Sequence, residues 1–157
     1  MIKYFAYGSN MNEKRMEERD IRFSKKQKAI LPGCQLVFNK IACYNNNQGY
    51  ANIQLHPSDK VEGILYNIPN EDLQKLDIFE GFPTHYERWE VTLLVKEKLV
   101  NAITYIAHPS KTAKGLRPTR DYLNHLLAGK SFLSKEYYDK LENTSVYEDS
   151  YDGLFRY

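Results

Sequence analysis

Strand-patterned segments crowd the first 108 residues of this chain, and only the last third turns helical. Residues 2–7 read as a strand buried from its first residues. Further strands are expected over 34–42, 50–56, 61–68, 88–97 and 100–108. The segments at 50–56 and 61–68 are joined by "PSDK" and read as a hairpin, and the last two turn near Lys98. Short helices interrupt the series. "NMNEKRMEERDI" follows the first strand and reads as a helix or turn-rich segment, with Asn10 as its N-cap and Met11 and Met16 on its apolar side. "PNEDLQKLDIFEG" follows the fourth strand, with Asn70 as cap, acids in the first turn and Gly81 as stop. Two helices come last, one from Thr119 ended by Gly129 and one capped by Ser134.

This order lacks the regular strand–helix alternation of a doubly wound fold. It predicts an α+β domain whose mixed, mostly antiparallel sheet closes into a barrel-like core with short helices. A chain of 157 residues is long enough for one such domain with a real core. That domain is placed at 1–142. Residues 143–157 read as a tail, expected to be mobile unless its aromatics dock on the body.

Composition excludes several classes of partner. There are 22 basic and 20 acidic residues, for a net charge of +2, and no basic stripe with interleaved aromatics. Nucleic acid and an anionic membrane are therefore not expected partners. "KKQK" at 25–28 reads as solvated surface. Cys34 and Cys43 form no C-x-x-C, and His56, His85, His108 and His125 have no close ligand spacing, so no metal site is expected. Two unpaired thiols and no signal-peptide pattern read as a reduced, cytoplasmic protein. No apolar run approaches the roughly 20 residues that span a bilayer. "AGKS" at 128–131 has the ending of a phosphate loop, but Asn124 stands where its first glycine is needed.

Two places can carry chemistry. Gly8, Ser9 and Asn10 lie where the first strand turns into a helix start. Such a turn exposes main-chain N–H groups that favour an anionic or carbonyl oxygen, and Gly8 lets a ligand approach the backbone. Plain connection of strand to helix explains the same residues. The second place is Glu80 in "LDIFEGF". It falls at a helix C-terminus, where a carboxylate is disfavoured, between apolar or small neighbours. Burial and the helix end both raise its pKa, which suits proton transfer to and from nitrogen. An exposed glutamate in a frayed last turn is the blander account.

The motifs connect these two places. "YFAYGSNM" at 4–11 resembles the Y-G-S-N loop that follows the first strand in the γ-glutamylcyclotransferase family. "LDIFEGFPTHYERWEV" at 76–91 resembles its L-D-x-x-E-G segment, and "RPTRDYLNHLLAGKSFLSKEYYDKLE" at 117–142 is similar to its closing helical pair. The resemblance implies a barrel-like α+β fold with its cavity at the Y-G-S-N loop. It implies cyclisation of a γ-glutamyl amide or γ-glutamyl amino acid to 5-oxoproline with release of the amine, without cofactor or metal, and makes a homodimer reasonable. It assigns Glu80 as the acid/base carboxylate. Tyr7, Gly8, Ser9 and Asn10, led into by Tyr4, Phe5 and Ala6, become the substrate-holding loop, and Tyr86 and Tyr122 become tyrosines near the site. The leaving group stays open between amino acids, γ-glutamylamines such as the lysine isopeptide, and a γ-glutamyl-protected biosynthetic intermediate. A domain that binds a small acid or a partner without turnover is the remaining alternative.

Overall fold

The computed structural model describes residues 1–147. Five strands close into a barrel: β1 (Ile2–Ala6), β2 (Lys25–Ile41), β3 (Gly49–Ile68), β4 (Tyr86–Val95) and β5 (Lys98–Ala107), in spatial order β1-β3-β2-β4-β5. All pairs are antiparallel except β1 against β5, which pair in parallel at Tyr4 and Ile103 and close the barrel. Closure removes the unpaired sheet edge that an open five-stranded sheet leaves. Four short helices surround it: α1 (Glu13–Glu18), α2 (Asp72–Glu80), α3 (Arg120–Leu127) and α4 (Lys135–Glu142). The expected mixed, mostly antiparallel barrel with short helices is the observed one.

Two expectations about strands need correction. No hairpin forms across "PSDK". Residues 49–68 are one strand whose two halves both pair with β2, so the chain does not reverse there. Instead Pro32 pairs with Lys60 and Cys34 with Leu55, so that residues 56–59 stand opposite Gly33 alone. The turn residues are spent on this irregularity, and Gly33 takes a positive φ of 80° beside it. The second strand also starts at Lys25, not at residue 34. Its lysine-rich opening pairs with β3 from Asn67 onward, while Lys25, Lys26 and Lys28 stay exposed, as expected of a solvated cluster. The merger of 50–56 with 61–68 turns six expected strands into five, and the earlier start lengthens the second.

The strands are buried on both faces where the helices cover them: Phe5, Ile64, Tyr66, Ile68 and Leu93 are all essentially inaccessible, with Tyr4 and Ala6 on the face of Ile64 and Tyr66, and Phe5 and Leu65 on the other. The β4–β5 turn at Lys96 and Glu97 has positive φ at both residues, the geometry that matches strand twist in a tight hairpin. Helix α2 is pinned at its start by Asp72. That buried carboxylate accepts from the Arg22 main-chain N–H at 2.8 Å and from Arg22 Nη2 at 3.0 Å. The Arg22 guanidinium holds its pKa down at about 2. Asn70 does not cap α2 with its side chain; Glu71 is the boundary residue. At the other end Gly81, at φ 66°, stops the helix as the sequence predicts, and its N–H and that of Phe82 return to Ile78 and Asp77. Both last helices have side-chain caps, Thr119 accepting from Tyr122 N–H and Ser134, as expected, from Tyr137 N–H. Buried Glu62 accepts from both the N–H and the hydroxyl of Ser134, which ties α4 to β3. Of the expected tail, 143–147 are described, with Tyr147 N–H donating to Pro118 O at 2.7 Å; 148–157 lie outside the described residues. Among the described residues, no helix is long and apolar enough to cross a membrane.

Candidate active site

The carboxyl end of β1 opens into a tight turn at Ser9–Met11, and this turn is one wall of the site. Met11 N–H bonds back to Gly8 O and Asn12 N–H to Ser9 O, and the earlier N–H groups of Ser9 and Asn10 open the turn without a main-chain acceptor among the described residues. Asn10 is not the helix cap. It is buried within the turn, and Asn12 caps α1 through its side chain. Space is tight at Gly8: a Cβ there would lie 3.3 Å from Ala51 Cβ and 3.5 Å from the Tyr122 hydroxyl.

Asn10 joins this wall to the opposite one. Its Nδ2 donates to the Tyr4 hydroxyl at 3.0 Å and lies 3.4 Å from Glu80 Oε1, while its Oδ1 accepts from Arg19 Nη1 at 2.9 Å. Its carbonyl accepts from the Tyr66 hydroxyl at 2.8 Å. Every polar group of this side chain is engaged, so its orientation is fixed, and with it the distance from the turn to Glu80.

Glu80 is the last residue of α2 and points into the barrel mouth toward this turn. Burial raises its pKa above the ordinary carboxylate value, against the opposing pull of Arg19, Arg15 and Lys40. It stands at the junction of two adjoining spaces. The inner recess, about 40 Å³, is walled by the 7–10 loop, Glu80, Tyr86 and Tyr122, with Tyr4 and Phe5 deeper in. The outer basin, about 310 Å³, shares Ser9, Glu80, Tyr86 and Tyr122 with the recess.

Nine of the ten residues named from sequence meet at this recess. The exception is Ala6, whose side chain is buried in the sheet and lines neither space. The tyrosines have defined polarity. Tyr122 accepts from Ala51 N–H at 3.0 Å and keeps its own proton for another partner. Tyr86 donates to Ala51 O at 2.9 Å, and Tyr7 donates to Tyr105 O, so each keeps acceptor capacity. Burial pushes the hydroxyls of Tyr4, Tyr7, Tyr86 and Tyr122 above the usual tyrosine value, which keeps them protonated.

Other residues were not legible as site residues. Ala51, Thr104 and Tyr105 reach the recess from β3 and β5. Arg15, Arg19, Lys40, Tyr50 and His85 line the basin. Arg15 and Arg19 are spaced by four on a helix and read as ordinary surface charge; nothing local marks Lys40. No group of three or more His, Cys, Asp or Glu able to hold a metal occurs among the described residues.

With the recess, the turn and the half-buried acid in place, the relatives become informative. Residues 4–124 match the family model described as gamma-glutamyl cyclotransferase, AIG2-like. The chain belongs to this family. A solved structure named gamma-glutamyl cyclotransferase superposes with a TM-score of 0.81 at 25% identity, covering 95% of this chain and 90% of the other. An uncharacterized protein from Homo sapiens superposes with a TM-score of 0.81 at 23% identity, over 99% and 98% of the two chains. A yeast gamma-glutamyl cyclotransferase specific to glutathione aligns with a TM-score of 0.63 at 14% identity, over 89% and 93%, a likeness of fold alone. No curated protein matches the sequence.

Proposed function

We propose that this chain cyclises a γ-glutamyl amide or γ-glutamyl amino acid to 5-oxoproline and releases the amine, with Glu80 as the acid/base and the 7–10 turn as the oxygen-binding element. The observation that carries this reading is the placement of Glu80: a carboxyl of raised pKa, 3.4 Å from Asn10 Nδ2 and across a recess from main-chain N–H groups that have no main-chain acceptor among the described residues.

The substrate's α-amine must lose a proton before it can attack its own γ-carbonyl. Glu80 takes that proton, and its raised pKa narrows the gap to the α-ammonium. The amine nitrogen then bonds to the γ-carbon, and the carbonyl oxygen becomes an oxyanion. As the bond from that carbon to the leaving nitrogen breaks, Glu80 returns its proton to the leaving nitrogen. The ring nitrogen sheds a second proton as it becomes a lactam, and the amine departs as an ammonium. Ring closure is intramolecular, so the gain from the protein lies in holding the folded-back conformer. The N–H groups of Ser9 and Asn10 and the free protons of the Tyr4 and Tyr122 hydroxyls suit either the α-carboxylate or the developing oxyanion.

Glu80→Gln keeps the shape and the bond to Asn10 but cannot carry the proton. It is expected to lower kcat for 5-oxoproline release by two to four decades, about 3–5 kcal/mol of transition-state stabilisation. Parental turnover by this variant would overturn the assignment.

A further inference from the structure

The outer basin has more positive charge than a γ-glutamyl group alone can use. Arg15, Arg19 and Lys40 line it, and Glu80 is its one carboxylate among the described residues. None of the three cations makes an ion pair with a carboxylate among the described residues. Lys40 is the most telling, at 1% exposure. Its Nζ donates to Ile41 O at 2.6 Å and lies 5.7 and 5.6 Å from the ring centroids of Tyr50 and Tyr86. The Nε of Arg15 is buried without a hydrogen-bond partner among the described residues. Arg19 is anchored on Asn10 and lies over the Phe79 ring, 4.8 Å from its centroid.

Holding an ammonium out of water without a counter-charge is costly, and an enclosed carboxylate offsets that cost. A γ-glutamyl group brings one ammonium and one carboxylate, so it leaves the balance of the basin unchanged. Whichever cation meets the α-carboxylate, the others still face an empty volume large enough for an amino acid. We propose that this basin is the leaving-group subsite, and that Arg15, Arg19 and Lys40 select γ-glutamyl conjugates whose amine partner carries a carboxylate, an amino acid or a peptide end, over conjugates whose amine partner has none. This rests on the cyclotransferase reading above.

The test compares two substrates that differ only at the leaving group's carboxylate, γ-glutamylalanine and γ-glutamylalaninamide, by kcat/KM for 5-oxoproline release. A charge-assisted contact of this kind predicts a preference for the acid of roughly tenfold to a hundredfold. Lys40→Met and Arg15→Gln should each move that ratio toward one. The ratio is taken within one sample, so any loss of folded protein cancels. Equal rates for the two substrates in the parent overturn the subsite while leaving the cyclotransferase reading intact. An unchanged preference in both variants overturns the role of the cations. Release from neither substrate, nor from the lysine isopeptide, overturns the reading and the subsite together.

Discussion

Removing the Tyr122 hydroxyl tests how the recess is built. Ala51 lies where the β2–β3 register shifts, between the pairs Val37 with Asn52 and Lys40 with Tyr50. Its main-chain groups, 2% exposed as a residue, turn to two tyrosines instead: N–H to Tyr122 Oη at 3.0 Å, and C=O from Tyr86 Oη at 2.9 Å. In Tyr122→Phe the ring keeps its stack on Tyr50, 4.9 Å between centroids at 29°, so little apolar packing is lost. What remains is a buried N–H without an acceptor, a loss of about 1–3 kcal/mol. A domain of this size loses roughly 2–4 °C of Tm per kcal/mol, so a loss of about 2 kcal/mol lowers Tm by roughly 4–8 °C. Tyr86→Phe leaves a carbonyl under-satisfied instead, which is tolerated better, and should cost about 1 kcal/mol. The double variant should be non-additive, because both hydroxyls serve one residue. Thermal and urea unfolding by circular dichroism measure all three, with kcat/KM on the same samples. If Tyr122→Phe melts with the parent, or Tyr86→Phe is the costlier change, the idea that these tyrosines hold the bulge open is wrong.

Two further outcomes follow from the acid and its helix. Because burial raises the Glu80 pKa, the acid limb of the kcat/KM profile should fall above the ordinary carboxylate range near pH 4.3, and a limb at or below that value would contradict it. The same shift makes the parent lose stability relative to Glu80→Gln as pH rises from the unfolded value through the raised folded one, with the difference vanishing at lower pH; unfolding midpoints of the two proteins across that window read it. Gly81→Ala places a Cβ 2.8 Å from His85 Cδ2 at a φ of 66°, so it should cost about 1–2 kcal/mol. It should also depress kcat by displacing the adjacent Glu80, and an unchanged melt with full activity would argue against strain there.

Local pattern determined a good deal of this protein. Met11 and Met16 are buried as the apolar side of their segment, Ser134 caps α4 where expected, and Gly81 stops α2 so that Glu80 ends it. These are short-range matters of periodicity and of main-chain groups needing partners. The Y-G-S-N turn and Glu80 were legible for the same reason, with the family motif tying them together. Tertiary structure decided the rest. Whether "PSDK" reverses the chain depends on which strand lies beside it, and β2 runs past both halves of β3. The charge of the basin depends on burial that no local window reports. Arg15 and Arg19 look like solvent-facing helix charges, and Lys40 like the polar end of a strand, until barrel closure and the turn after β1 bring them around Glu80. A side chain's type is written in the sequence, but many of the partners that set its chemistry, such as Asn10 for Glu80, His125 for Arg15 and Ala51 for Tyr86, come from distant parts of the chain, brought close only when the barrel shuts.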